Sequence, residues 1–211
     1  MLAPLKDQLQ ELSDGQQNQI RNSLIPLSSS EKGRFSQDIT RKMARGSGTF
    51  NFIEGYRIQN PRWKAFQRTK NASSAPVNCR EYLYHGTRAS NVPSVLLRSL
   101  RLQGRSLMFG KAIYLTPQLK KALAYTGYGH HFVFVATALL GKIKVFGEGR
   151  YDLNLELANK KGFDTACGQS NRTKAWGSSH LQHTEYAVYD PKKVLITHLL
   201  YFSDDSYHPK F

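Results

Sequence analysis

The sequence predicts an α+β fold, on two observations. From residue 49 onward, short runs rich in β-branched and aromatic residues outnumber the helical runs between them. The helical stretches are also too few and too short for the regular alternation of strand and covering helix in a doubly wound parallel sheet. The 11 Tyr and 11 Phe give the chain bulky side chains for a core, and such rings also make platforms for flat ligands.

Residues 1–48 have a different texture: Gln, Ser and charged residues dominate and aromatics are scarce. Leu5, Leu9 and Leu12 recur at helical spacing, which predicts a short amphipathic helix that Ser13-Asp14-Gly15 breaks. Ser28-Ser29-Ser30 and Arg45-Gly46-Ser47-Gly48 read as flexible connections. The expected organisation is a polar, partly helical extension over 1–48 and a folded domain over 49–211. Within the domain, residues 50–58 predict a strand. Asn60-Pro61 predicts a helix start, with Asn as the cap and Pro in the first turn, and that helix carries Trp63 and Phe66. A short strand over 81–84 ends at His85-Gly86-Thr87, 91–100 is helical and 112–115 is a strand. Thr116-Pro117 opens a further helix to about Tyr125 by the same capping logic. Residues 131–146 form a long β-like stretch interrupted at Gly141. Residues 147–183 show little periodicity and read as loops with short elements. Two strands, 185–189 and 194–202, flank Asp190-Pro191.

Lys and Arg number 30 against 15 Asp and Glu, a net charge of +15. Such an excess attracts polyanions or simply keeps a surface soluble, and no consecutive basic block marks a nucleic-acid arm. Cys79 and Cys167 form no CxxC pair, and two isolated thiols fit a reducing compartment. The first residues lack an apolar signal core, and no apolar run is long enough for a membrane span. An intracellular protein, cytoplasmic or nuclear and off the membrane, is the expectation. No metal is expected, because the seven His show no ligand spacing beyond the adjacent His130-His131.

Three motifs carry chemistry. They are Tyr84-His85-Gly86-Thr87 at a strand end, Phe109-Gly110-Lys111-Ala112-Ile113-Tyr114 before a capped helix ending near Tyr125, and Thr184-Glu185-Tyr186-Ala187-Val188-Tyr189 in a late strand. Each alone is weak, since a lone His, Tyr or Glu in a strand is ordinarily structural. In this order they resemble the catalytic domain of the poly(ADP-ribose) polymerase family, the diphtheria-toxin-like ADP-ribosyltransferases. That family is marked by a His-Gly pair, a Tyr after a Gly-Lys-Gly-like turn and a late Glu. The segment from Tyr56 to Pro61, followed by Trp63, also resembles the family's opening strand and helix. The resemblance covers roughly residues 49–203.

The resemblance implies two small antiparallel β-sheets packed around an NAD⁺-binding cleft with short flanking helices. It implies His85, Tyr114 and Glu185 as the catalytic set and NAD⁺ as co-substrate. His85 would hold a hydroxyl of the adenosine ribose, and the Gly86 backbone would bond the nicotinamide amide. Tyr114 and Tyr125 would stack on the nicotinamide ring, with Thr87 at the same site and Lys111 able to offset pyrophosphate charge. Glu185 would stabilise the positive charge that builds on the ribose as the nicotinamide bond breaks. A second register of the late strand makes Ala187 the third member and Glu185 a bystander. The run from Glu185 to Asp190 favours Glu185.

The chain departs from the family pattern at Ala122, where members usually carry a Ser that bonds the nicotinamide carboxamide, and at Ala112, in place of the turn's second Gly. Phe163-Asp164-Thr165-Ala166-Cys167 looks like the mono-ADP-ribosylating branch, while the late strand looks like the polymerising one. Product length therefore stays open. Arg98, Arg101 and Arg105 fall in the region that lids the site in the family. The expected acceptor is a protein, with nucleic acid ends as the alternative that the basic charge suggests. A non-catalytic module that binds NAD⁺ or ADP-ribose, and hydrolysis to water, are the competing classes.

Overall fold

The computed structural model describes residues 3–43, 50–72, 78–102, 107–170 and 181–204. In chain order the elements are α1 (Ala3–Asp7), α2 (Asp14–Ser23), β1 (Leu24–Pro26), α3 (Ser29–Met43), β2 (Phe50–Ile58), α4 (Trp63–Asn71), β3 (Cys79–Thr87), α5 (Val92–Arg98), β4 (Ile113–Leu115), α6 (Leu119–Leu123), β5 (His131–Leu139), β6 (Ile143–Phe146), α7 (Leu155–Lys160), β7 (Thr165–Gly168), β8 (Glu185–Val188) and β9 (Val194–Asp204).

The strands form two sheets. The larger has the order β1-β2-β9-β5-β3, every neighbouring pair antiparallel. The smaller has the order β4-β8-β7-β6. The α+β expectation of two small sheets with short helices describes this architecture. One pair departs from the antiparallel expectation: β6 and β7 run parallel. Parallel neighbours need a crossover of about a dozen residues or more, and the segment 147–164, which contains α7, provides it. β7 is buried along its whole length, so it lacks the polar–apolar alternation that would mark it in the sequence.

Residues before β2 join the same core. Ser13, read as a helix breaker, ends the first turns and starts α2 through a capping box with Gln16. Leu5, Leu9, Ile20 and Leu24 lie in one buried cluster with Tyr56, Ile58 and Leu199. The expected flexible connection at Ser28-Ser29-Ser30 is instead the start of α3. Glu31 Oε2 accepts from the Ser28 backbone N–H at 2.8 Å, and Ser28 Oγ accepts from the Glu31 N–H at 3.3 Å. That reciprocal pair fixes the helix start, and the Ser28 hydroxyl, donating to Glu31 Oε2 at 2.7 Å, holds the carboxyl below its ordinary pKa with the help of the Ser28 N–H. Phe35 and Ile39 on α3 then bury with Leu27, Val133, Val135 and Leu200. The tract Arg45-Gly46-Ser47-Gly48 and Arg105 lie outside the described residues.

Other boundaries shift for local reasons. The Asn60 side chain caps the turn before α4, its Oδ1 accepting from the Arg62 N–H at 3.0 Å, so the helix proper begins at Trp63. β3 continues through His85 and Gly86 because both residues pair with β5. Gly141, at φ +56°, ends β5, and a Cβ there would lie 2.3 Å from Asp164 Oδ2. That carboxylate accepts from the Lys142 N–H at 2.8 Å and binds Lys193 Nζ at 2.5 Å. Cys79 and Cys167 are free thiols. Among the described residues, no helix is long and apolar enough to cross a membrane.

Candidate active site

The two sheets are stitched together at the site. The Tyr84 N–H in β3 donates to the Thr116 carbonyl at 2.7 Å, and the Thr116 N–H donates back to Tyr84 at 3.0 Å. This bridge sets His85 and Gly86 beside Tyr114. His85 Nδ1 lies 2.9 Å from the Tyr114 carbonyl oxygen. A carbonyl can only accept, so Nδ1 carries the hydrogen and Nε2 keeps the ring's lone pair. Burial lowers the His85 pKa, against the opposing pull of the Tyr114 carbonyl. The ring is therefore a neutral acceptor suited to a hydroxyl donor.

Tyr114 is fixed by its own turn. Its hydroxyl accepts from the Phe109 N–H at 2.8 Å and donates to the Gly110 carbonyl at 2.9 Å, which leaves the ring as the part that faces the cleft. Gly110 has φ +76°, and a Cβ there would lie 1.6 Å from the Leu153 carbonyl oxygen, so only glycine closes this turn. Ala112 is not among the residues with positive φ and is fully buried. Alanine in place of the family's second glycine therefore introduces no backbone strain.

Gly86 admits α6. A Cβ on Gly86 would lie 1.7 Å from the Ala122 carbonyl oxygen, so the helix backbone rests directly on the strand. That approach delivers Ala122 and Tyr125 to the cleft and sets Lys121 beside Glu185. Lys121 Nζ stands 5.0 Å from the centre of the Tyr125 ring, which is 53% exposed.

The third wall is the start of β8. Thr116 Oγ1 donates to the Thr184 carbonyl at 2.8 Å, and His183 Nδ1 donates to Gln118 Oε1 at 2.9 Å. These bonds clamp the strand end beside α6. Glu185 follows, paired with Gly168 across β7, only 8% exposed, with Lys121 Nζ 3.8 Å from its Oε1. Burial raises the Glu185 pKa, and the nearby ammonium partly opposes this. Ala187, the candidate of the other register, pairs with Tyr114 and Ala166 and is fully buried in the cluster of Phe109 and Tyr189.

The result is a cleft of about 480 Å³ lined by His85, Gly86, Tyr114, Ala122, Tyr125 and Glu185, with Met108 and Tyr151 at its other side. Two residues expected at the site are not brought into it. Thr87 Oγ1 accepts from Asn91 Nδ2 at 3.1 Å, and Lys111 is solvent-exposed with its N–H on the Leu153 carbonyl. Tyr151 is a cleft residue outside the sequence expectation, and so is the role of Lys121, which meets the cleft residues Glu185 and Tyr125. The one readable hint for Lys121 is its i,i+4 spacing to Tyr125; Tyr151 falls in a stretch without periodicity. Among the described residues, no group of three or more His, Cys, Asp or Glu is gathered as a metal site.

A family model for the poly(ADP-ribose) polymerase catalytic domain matches residues 29–204. The chain belongs to the poly(ADP-ribose) polymerase family. No curated protein matches it. This family's domain uses NAD⁺ as its substrate, and ADP-ribosyltransferase activity is the class it carries. The cleft of this polymerase-family domain offers two tyrosine rings, a neutral imidazole acceptor and one carboxylate. The match begins at residue 29, so it includes α3.

Ala122 is the departure with a measurable consequence, because it lines the cleft and has no hydroxyl. Ala122→Ser is expected to tighten a benzamide-type nicotinamide mimic by roughly two- to tenfold, the worth of one net hydrogen bond. Calorimetric titration of both proteins checks this. Equal affinities would show that position 122 does not face the carboxamide.

Proposed function

We propose that this protein cleaves the nicotinamide–ribose bond of NAD⁺ and transfers ADP-ribose to a macromolecular acceptor, a protein in the first instance. The observation that carries the reading is the Glu185 carboxylate, which lines the same cleft as His85, Tyr114 and Tyr125 and faces the Lys121 ammonium at 3.8 Å. Nicotinamide leaves with the bonding electron pair, which neutralises its ring and builds positive charge on the ribose. A fixed, poorly solvated carboxylate stabilises that charge strongly. It also suits the removal of a proton from the acceptor as the new bond forms at the ribose carbon. The Tyr114 and Tyr125 rings supply flat faces for the leaving group, and His85 Nε2 accepts from a ribose hydroxyl. A second reading, transfer to nucleic acid ends, is favoured by the net charge of +15.

The test is labelled NAD⁺ offered with protein, RNA and DNA to the wild type and to Glu185→Ala. The reading predicts nicotinamide release and labelled protein that are both lost in the variant. Label on nucleic acid alone selects the second reading. Nicotinamide release without any labelled macromolecule points to hydrolysis, and undiminished release by Glu185→Ala removes Glu185 from the mechanism.

The Lys121–Glu185 pair makes a pH prediction. The carboxyl pKa is raised by burial and held in check by Lys121, so the active ionised form is lost at a higher pH than for a free glutamate. Lys121→Met removes the check. The acid limb of kcat/KM is expected to move to higher pH, and Lys121→Arg is expected to return it toward the wild type. An acid limb that stays in place across all three proteins is the outcome that rejects Lys121 as the group positioning this charge.

A further inference from the structure

A second basic concavity lies away from the catalytic cleft, where β2 runs into α4. Two hollows of about 460 and 430 Å³ adjoin there and share Ile58, Gln59, Asn60, Pro61 and Ile196. They have no residue in common with the catalytic cleft. Arg57 lines the first, and Arg62 and Arg98 line the second, while neither is lined by Asp or Glu. None of the three arginines forms an ion pair among the described residues. Arg62 donates to the Pro191 carbonyl at 3.1 Å, and Arg57 feels the charge of Glu31 at longer range.

Two further features point to a ligand. Trp63 lines the first hollow and is 52% exposed, an aromatic face open to solvent beside Arg57. Ser99 lines the second. It is only 8% exposed, its hydroxyl has no hydrogen-bond partner, and its backbone has φ +64°. A buried hydroxyl without a partner is uncommon in a folded chain, and a non-glycine residue at positive φ is a local strain that commonly marks functional positions.

We propose that this groove binds a single-stranded nucleic acid segment, with phosphates on Arg57 and Arg98 and a base on the face of Trp63. A charged groove beside an aromatic platform is what a single strand requires, because every base offers a flat face and every linkage a negative charge. A free anion would use the arginines and leave the tryptophan idle. An acidic peptide would supply the charge and no ring. The proposal stands apart from the transfer chemistry, because its readout is binding at residues outside the catalytic cleft.

The test is fluorescence anisotropy of a labelled oligouridylate of about 12 nucleotides, within the span such grooves cover, titrated with the full chain over a series of salt concentrations. Binding is expected to weaken with salt. Arg57→Gln/Arg98→Gln is expected to flatten the log–log slope by roughly 1.4, about 0.7 for each phosphate contact removed on a single strand. Trp63→Ala is expected to weaken binding by roughly five- to a hundredfold, the worth of one stacked base. Lys160→Gln/Lys161→Gln changes the net charge equally on an exposed helix end elsewhere and is expected to keep wild-type affinity. Unchanged melting temperatures show that each variant is folded. The proposal is overturned by no binding, by equal losses in the two charge variants, by an unaffected Trp63→Ala protein, or by equal binding of polyglutamate of matched length.

Discussion

Glu185→Gln is expected to slow nicotinamide release by roughly 10²–10³-fold, the effect of removing one preorganised group that stabilises transition-state charge. The substitution keeps the shape of the side chain, removes its charge and turns one acceptor oxygen into an N–H donor, so the loss reports electrostatics and hydrogen bonding rather than packing. It also carries a stability consequence of the opposite sign. The Glu185 pKa is raised in the folded state, first by burial, with the Lys121 charge opposing. A raised folded-state pKa means that folding favours the protonated carboxyl. That stabilisation is complete below the pKa of the unfolded chain and disappears as pH rises through the folded value. At neutral pH the ionised side chain is therefore a net cost, and Glu185→Gln is expected to melt above the wild type. The gap should close as the pH falls into the range where the carboxyl protonates in both states. A slower, more stable variant at pH 7 is the signature of a strained functional carboxylate. Two results would contradict the argument: wild-type release from the Gln variant, or a lower melting temperature at neutral pH with a gap that does not depend on pH.

Much of this site is legible in the sequence, and the part that is not has a geometric reason. The strands bearing His85, Tyr114 and Glu185 follow from β-branched and aromatic runs between Gly and Pro signals, and the structure places each of the three residues on a strand. The choice between Glu185 and Ala187 could not come from alternation, because residues two apart share one face of a strand. What separates them is depth. Ala187 pairs with Tyr114 inside the second sheet, while Glu185 is the first residue of the strand and opens on the cleft. Depth depends on where β4 and β7 end, which a single segment does not reveal.

Lys121 and Lys111 show the same limit from the other side. Lys111 has the motif position but is exposed beside the turn, whereas Lys121 reaches Glu185 because α6 crosses β3 at Gly86. Helical spacing tells which side chains accompany Tyr125 and says nothing of the strand they meet. At Ser28 the signal was local and present: Ser followed three residues later by Glu is a helix start, and it outweighs the loop-like look of three consecutive serines.

That crossing makes Gly86→Ala a disruptive small substitution at the cleft. The resemblance assigns Gly86 to close approach by the nicotinamide amide, yet the nearest neighbour of a Cβ there is the protein itself. The methyl carbon would lie 1.7 Å from the Ala122 carbonyl oxygen and 2.6 Å from its carbonyl carbon. Both are backbone atoms, so no rotamer change relieves the overlap. The helix has to withdraw by about 1.5 Å or more to restore van der Waals separation, and it carries Lys121 and Ala122 with it, and Tyr125 at its end. Overpacking of this kind costs about 1–3 kcal/mol, which corresponds to a melting point lower by about 2–4 °C per kcal/mol in a chain of this size. Activity should fall further than stability, since a misplacement on the ångström scale costs roughly a hundredfold in rate. Gly15→Ala is the control, because Gly15 lies in α2 with nothing within 4 Å of its Cβ position, and removing glycine from a helix stabilises it by about 0.5–1 kcal/mol. Melting curves and nicotinamide release for both variants decide the point: if Gly86→Ala melts and turns over like the wild type, α6 does not rest on this strand as described, and the placement of Lys121 beside Glu185 fails with it.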